Sequence, residues 1–209
     1  MRIKPITVGM LEANSYLIVD EPTGEAVLID PGDEPNRLIR VIKDEGAELK
    51  YLLLTHGHPD HSWAAGQIQE AFPGAYLLLH ESDVIQLHGD PHIVELFFDT
   101  ESYIEPKLGR FLNDGDVVAF GDSRLAVIHT PGHTEGGLCY LGDKVVFTGD
   151  TLFAGAVGRT DLTGGSFERL IRSIKEKLLV LPDETIVYPG HGDLSTIGTE
   201  RRTNPWLTE

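Results

Sequence analysis

The chain has 209 residues, 41% of them apolar and 24% charged, which suits one domain with a packed core and excludes disorder. Seventeen basic residues against 33 acidic ones leave a net charge of −16, a field that repels phosphate backbones and disfavours nucleic acid as a partner. No apolar run reaches the ~18 residues of a membrane span, Met1-Arg2-Ile3-Lys4-Pro5 lacks a signal peptide's apolar core, and the lone Cys139 has no disulfide partner, so a cytoplasmic, membrane-free protein is expected.

In chain order, strands are expected at Ile3–Val8, Tyr16–Val19 and Ala26–Ile29, with Gly9, Asn14 and Pro22-Thr23-Gly24 as turn material. A helix follows from Glu34 to about Glu45, capped by Asp33 and stopped by Gly46. Leu49–Leu54 is a continuous apolar run, as in a strand covered on both faces. A helix over Ser62–Ala71, a strand at Ala75–Leu79 and a short helix at Glu81–Leu87 come next. Residues 88–110, broken by Gly89, Pro91, Pro106 and Gly109, read as a loop excursion with a single helical turn. Further strands are expected at Val117–Phe120, Leu125–His129, Leu138–Leu141, Val145–Phe147 and Thr185–Tyr188. Phe167–Leu179 carries an apolar helical stripe, and a short helix begins at Ile197. Two segments, Ala26–Gly32 and Lys144–Asp150, are each an apolar strand ending in an Asp/Gly pair, a faint echo between two halves.

The chemistry gathers after strands. His56-Gly57-His58-Pro59-Asp60-His61 places four potential metal ligands within six residues. Alternate side chains of an extended chain point the same way, so His56 and His58 can share an ion, and the bend at Pro59 can aim Asp60 and His61 at a neighbour. A lone histidine in a polar loop usually bonds to water or backbone; four ligands at this spacing favour a metal. Imidazole and carboxylate suit Zn²⁺, Fe or Mn²⁺. Thr130-Pro131-Gly132-His133, Thr148-Gly149-Asp150 and Tyr188-Pro189-Gly190-His191 repeat the design, a strand running into a glycine turn with one ligand. Seven ligands are about what two divalent ions sharing a carboxylate require.

This set, His56, His58, Asp60, His61, His133, Asp150 and His191, resembles the metallo-β-lactamase fold superfamily. Gly149-Asp150-Thr151-Leu152-Phe153 with Gly158-Arg159-Thr160-Asp161-Leu162 is similar to its glyoxalase II and persulfide dioxygenase branch. The ending Tyr188-Pro189-Gly190-His191-Gly192, with Thr196 and Glu200-Arg201-Arg202-Thr203-Asn204-Pro205, resembles the small single-domain glyoxalase II-like hydrolases. The resemblance implies an α/β fold, an αββα sandwich with helices outside two facing sheets. It implies that His56, His58 and His133 hold one ion, that Asp60, His61 and His191 hold the other, and that Asp150 bridges them.

Two such ions activate a water between them near neutral pH and polarise a carbonyl. Asp60 is expected to orient the resulting hydroxide, the catalytic role assigned to it. A small-molecule thioester is the expected substrate, because a thiolate leaves without a strong general acid, and no donor for an amide nitrogen is evident. Arg159, on a glycine-flanked loop nine positions after Asp150, is assigned to a substrate carboxylate such as that of glutathione; a salt bridge to Asp161 is the competing reading.

Three departures put glutathione specificity in question. Full-length glyoxalase II has a C-terminal helical domain that 209 residues are not expected to hold. The tyrosine following its basic residue is replaced by Thr160-Asp161, and its glycine pair after the histidine motif by Ser62-Trp63-Ala64-Ala65. Trp63 and Cys139 are read as core, His129 as a satisfied polar residue, and His80, His88 and His92 as surface or loop residues outside the ligand set. The alternative activity is a mononuclear iron persulfide dioxygenase using His56, His133 and Asp150; that branch favours Ala-His at the last ligand, so Gly190-His191 points to the hydrolase. A non-catalytic protein keeping metal for stability is the reading from a different class.

Overall fold

In the computed structural model, which describes residues 1–208, two six-stranded sheets lie face to face. The first contains β1 (Arg2–Val8), β2 (Ala13–Val19), β3 (Glu25–Ile29), β4 (Glu48–Leu53), β5 (Tyr76–Leu79) and β6 (Leu108–Phe111), in that order. β1 to β3 pair antiparallel, and β3 to β6 run parallel. The second sheet has the order β14-β13-β10-β9-β8-β7, built from β7 (Val117–Phe120), β8 (Ser123–His129), β9 (Leu138–Gly142), β10 (Val145–Gly149), β13 (Ile186–Pro189) and β14 (Ser195–Thr196). There only β10 and β13 are parallel. A two-residue hairpin, β11 (Leu152–Phe153) and β12 (Ala156–Val157), lies beside them.

Three apolar layers follow from side-chain alternation along these strands. Leu17, Val19, Ala26, Leu28, Leu52 and Leu77 point outward, where α1 (Pro35–Asp44) and α3 (Ala65–Ala71) cover them with Leu38, Ile42 and Ile68. Their neighbours Ile18, Val27, Ile29, Leu53 and Leu78 point inward and meet Val127, Leu138, Tyr140 and Phe147 of the other sheet. On the far side Cys139, Val146 and Val187 pack under α5 (Phe167–Ser173) and α6 (Ile197–Thr203). This is the expected αββα sandwich. Continuous apolar runs such as Leu49–Leu54 arise because both strand faces are covered.

Several element expectations are corrected. Helix α1 begins at Pro35 and Asp33 does not cap it; Glu34, left-handed at φ 51°, is the cap residue, and its carboxylate accepts from the Gly9 amide at 3.1 Å. The helix expected from Ser62 is two: α2 (Pro59–Ser62) starts on the proline, and a break at Trp63-Ala64 precedes α3, where Ala64 donates to the Pro31 carbonyl. Glu81–Gln86 is a 3-10 helix. The supposed loop 88–110 holds α4 (Pro91–Phe97), capped by Asp90 on the His92 amide, and the edge strand β6. All four β6 residues are exposed, so no alternation marks it in the sequence. After Ser173 the stripe continues as a π-helix, Ile174–Leu178. No helix of the described residues is long and apolar enough to cross a membrane.

Candidate metal centre

All seven sequence-predicted ligands converge where the parallel strands of both sheets end. β4 delivers Thr55 and the 56–61 loop, β10 delivers Asp150, β13 delivers His191, and the turn after β8 delivers His133. Ligand atoms of His56, His58 and His133 lie within 4.8 Å of one another, as do those of Asp60, His61 and His191. A third such group, His56, His61 and Asp150, joins the two.

Single distances sharpen this. His58 Nδ1 is 3.0 Å from His133 Nε2, and His61 Nε2 is 3.3 Å from His191 Nε2. Asp60 Oδ2 stands 3.3 Å from His191 Nε2 and 3.6 Å from His61 Nε2. Asp150 spans the groups: Oδ1 is 3.4 Å from His61 Nε2, and Oδ2 is 3.7 Å from His133 Nε2 and 3.8 Å from His191 Nε2. Ligands about 2.0–2.1 Å from one tetrahedral ion sit about 3.4 Å apart, so these separations suit shared cations.

Three of the imidazoles, those of His56, His61 and His133, are oriented from behind. Thr55 Oγ1 donates to Asp30 Oδ2 at 2.7 Å and faces His56 Nδ1 at 3.1 Å, so it accepts that N–H. Asp30 Oδ2 also accepts from His61 Nδ1 at 3.0 Å, and the Arg159 carbonyl accepts from His133 Nδ1 at 2.8 Å. With Nδ1 engaged, Nε2 of His56, His61 and His133 turns to the centre. Two close approaches need glycine. A Cβ on Gly149, at φ 47°, would lie 2.1 Å from Thr55 Oγ1, and one on Gly190 would lie 2.2 Å from Asp150 Oδ1.

The electrostatics ask for positive charge. Burial lowers the pKa of His61, but Asp60, Asp150 and Asp30 outweigh it and pull it up to about 10. Burial and the neighbouring His133 push His58 down to about 4, and burial drives His56 well below the usual imidazole range. Burial also opposes the Asp60 anion, yet His61 and His191 hold its carboxyl far below the usual range. His56 Nε2 and Asp150 Oδ1 are buried with no hydrogen-bond partner among the described residues. An imidazole nitrogen and a carboxylate-group oxygen left without a hydrogen bond in the interior fit a bound cation.

Other candidates lie elsewhere. The Arg159 guanidinium is exposed and clasps Asp161, Nε to Oδ1 at 2.8 Å and Nη2 to Oδ2 at 2.7 Å, so the competing salt bridge forms. Trp63 is buried between Phe98 and Tyr103. Cys139 is buried, and burial pushes its thiol up to about 11, away from a nucleophile's range. His129 bonds the Glu135 carbonyl at 2.9 Å and stacks on His80; His92 is exposed, and His88 is 3.8 Å from Glu105. Sequence reasoning missed Asp30, Thr55 and Asn14. Asn14 Nδ2 donates to the Pro189 and Gly192 carbonyls on either side of His191. Only Asp30 had a signal, the Asp/Gly echo with Asp150.

A profile described as the metallo-beta-lactamase superfamily matches residues 8–191. The chain belongs to that superfamily. It is 38% identical to a protein of Haemophilus influenzae named hydroxyacylglutathione hydrolase GloC, over 99% of this chain and 98% of that one. Among solved structures, BLEG-1, titled a B3 metallo-beta-lactamase, superposes with a TM-score of 0.86 at 35% identity over 100% of both chains. TTHA1623 in a di-iron-bound form gives 0.83 at 38% identity, covering 98% of this chain and 100% of that one. ETHE1 from Myxococcus xanthus gives 0.82 at 30% identity, covering 100% and 86%. As a superfamily member with a His/Asp cluster able to bind metal, the protein is a metal-dependent hydrolase by family.

Proposed function

We propose that the protein is a binuclear thioester hydrolase of the hydroxyacylglutathione type, acting in the cytoplasm as one domain over residues 1–209. The observation that carries this is the pair of three-ligand groups joined by Asp150, whose inner oxygen has no other partner. The near full-length likeness to GloC supports the substrate class, and the di-iron form of TTHA1623 supports two ions without fixing their identity as Zn, Fe or Mn.

His56, His58 and His133 would hold one ion, Asp60, His61 and His191 the other, and Asp150 both. Ions so held supply a water acidic enough to ionise near neutral pH and Lewis-acid polarisation of the thioester carbonyl. The Asp60 carboxylate, held anionic by His61 and His191, would orient such a water. A narrow crevice beside Asp60 is lined by Val8, Met10, Leu11, Phe97 and Phe98, which makes one flank of the centre apolar. The acidic surface argues against nucleic acid as a partner. Arg159 reaches a glutathione carboxylate only by exchanging Asp161 for it.

Hydrolysis of S-lactoylglutathione by metal-replete protein tests this, with a chelated sample and His58→Ala as controls. Chelator-sensitive turnover lost in the variant supports the reading. No turnover on any thioester, with oxygen uptake on glutathione persulfide at one iron per chain, replaces it with the dioxygenase built on His56, His133 and Asp150.

A further inference from the structure

Asp83 is fully buried on the 3-10 helix Glu81–Gln86, outside every ligand group. Its carboxylate accepts three hydrogen bonds from two loops. Oδ2 takes the Gly57 amide at 3.1 Å and the Thr134 hydroxyl at 2.7 Å; Oδ1 takes the Gly136 amide at 2.6 Å. Gly57 lies between His56 and His58, and Thr134 follows His133. The fit is close on both sides, since a Cβ on Gly57 would fall 2.2 Å from the Asp83 carbonyl and one on Gly136 2.6 Å from Oδ1. No bond of Asp83 reaches Asp60, His61 or His191; that group is braced by Asp30 and Asn14 instead.

We infer that Asp83 is a positioning residue for one half of the centre: it fixes the separation of the 56–58 and 133–136 loops, and so sets metal affinity at His56/His58/His133 without touching the Asp60/His61/His191 group. The inference rests on the two-ion reading of the site. The chemistry is specific to a carboxylate. Three donors converge on two oxygens, so an amide in its place turns an N–H₂ toward at least one N–H or O–H donor, and the loops must part. A change of a few tenths of an ångström between His58 and His133 acts directly on an ion both hold.

The test isolates each half and reads Zn²⁺ affinity by chelator competition, with metal content and circular dichroism alongside. Asp83→Asn is placed in a His191→Ala background, which leaves the first group, and in a His58→Ala background, which leaves the second. The expected result is Zn²⁺ binding about 10–100-fold weaker in the first background and unchanged in the second. Thr134→Val, which removes one donor and keeps the carboxylate, gives the same selectivity at smaller size and serves if Asp83→Asn does not fold. Equal weakening in both backgrounds, or none in the first, overturns the inference and leaves Asp83 as general scaffold. If the unmutated chain binds only one Zn²⁺, the two-ion reading fails, while the His191→Ala background still decides the role of Asp83.

Discussion

Two aspartates stand at corresponding places in the two sheets and do opposite things. Asp30 follows β3 and Asp150 follows β10, each strand having a parallel neighbour on one side and an antiparallel one on the other. Asp30 is 1% exposed and fully paired, taking the Thr55 amide on Oδ1 at 2.7 Å and the Thr55 hydroxyl and His61 on Oδ2. Asp150 faces the histidines with Oδ1 buried, 3.4 Å from His61 Nε2 and without a hydrogen bond. Strand-end position alone therefore does not make a ligand. The difference lies in what the neighbouring strand end supplies: Thr55, after β4, fills Asp30 with two donors, whereas beside Asp150 the end of β13 brings Gly190, which has no side chain to donate and whose Cβ would fall 2.2 Å from Oδ1. A saturated carboxylate orients; an unsaturated one reacts or binds.

Replacing each acid breaks that comparison most directly. Asp150→Ala removes the group common to both halves, so turnover should fall by about 10³-fold or more and metal content should drop, read by steady-state kinetics and elemental analysis. Retention of two ions with normal turnover would remove Asp150 from the centre. Asp30→Asn should keep a metal-binding protein but weaken Zn²⁺ affinity about 10–100-fold, because His56 and His61 lose their brace. It should also cost about 1–3 kcal/mol of stability for the donor left opposite the new amide, measured by denaturant unfolding. A variant with unaltered metal affinity would make Asp30 a folding residue only.

The ligands were legible because metal chemistry restricts residue type and because strand ends carry glycine turns that the sequence displays. The braces were not. Asn14 acts on a carbonyl 175 positions away and Asp83 on an amide 53 positions away, pairings that exist only once the two sheets face each other, while the Gly57 amide, 26 positions from Asp83, comes near only through the pairing of β4 with β5. The same limit governs the elements. Strands β2 to β5, with buried residues alternating between two apolar layers, announce themselves, whereas β6 is exposed throughout and gains its place solely from pairing with β5. Pro91 and Gly89, read as breakers, instead open α4 at its first turn and shape the bend before it.

Arg159 carries a smaller effect and sharpens the contrast between main chain and side chain. Its carbonyl orients His133, while its guanidinium sits on the surface with Asp161. Arg159→Gln keeps the carbonyl, so metal content and turnover number should hold, and loss of the exposed, solvent-screened ion pair should leave stability almost unchanged. KM for S-lactoylglutathione should rise about tenfold if the side chain leaves Asp161 for a glutathione carboxylate. An unchanged KM assigns the side chain to the surface pair alone.

The smallest effect concerns the histidine pair outside the centre. His80 and His129 stack with ring centroids 4.5 Å apart and planes 5° from parallel. His80 Nδ1 accepts from the Ser82 amide at 3.2 Å, which requires that nitrogen to be unprotonated. Burial and His129 lower its pKa, and Asp83 and Glu81 only partly offset them. The unfolded chain, with an ordinary imidazole near 6.5, therefore binds a proton before the folded one does. Stability from this group is full above about pH 6.5 and is lost as pH falls toward the depressed folded value. Melting temperatures between pH 7.5 and 5 should consequently drop more for the unmutated protein than for His80→Gln, which cannot titrate. Parallel curves would mean that stacking on His129, rather than proton exclusion, is what the fold takes from His80.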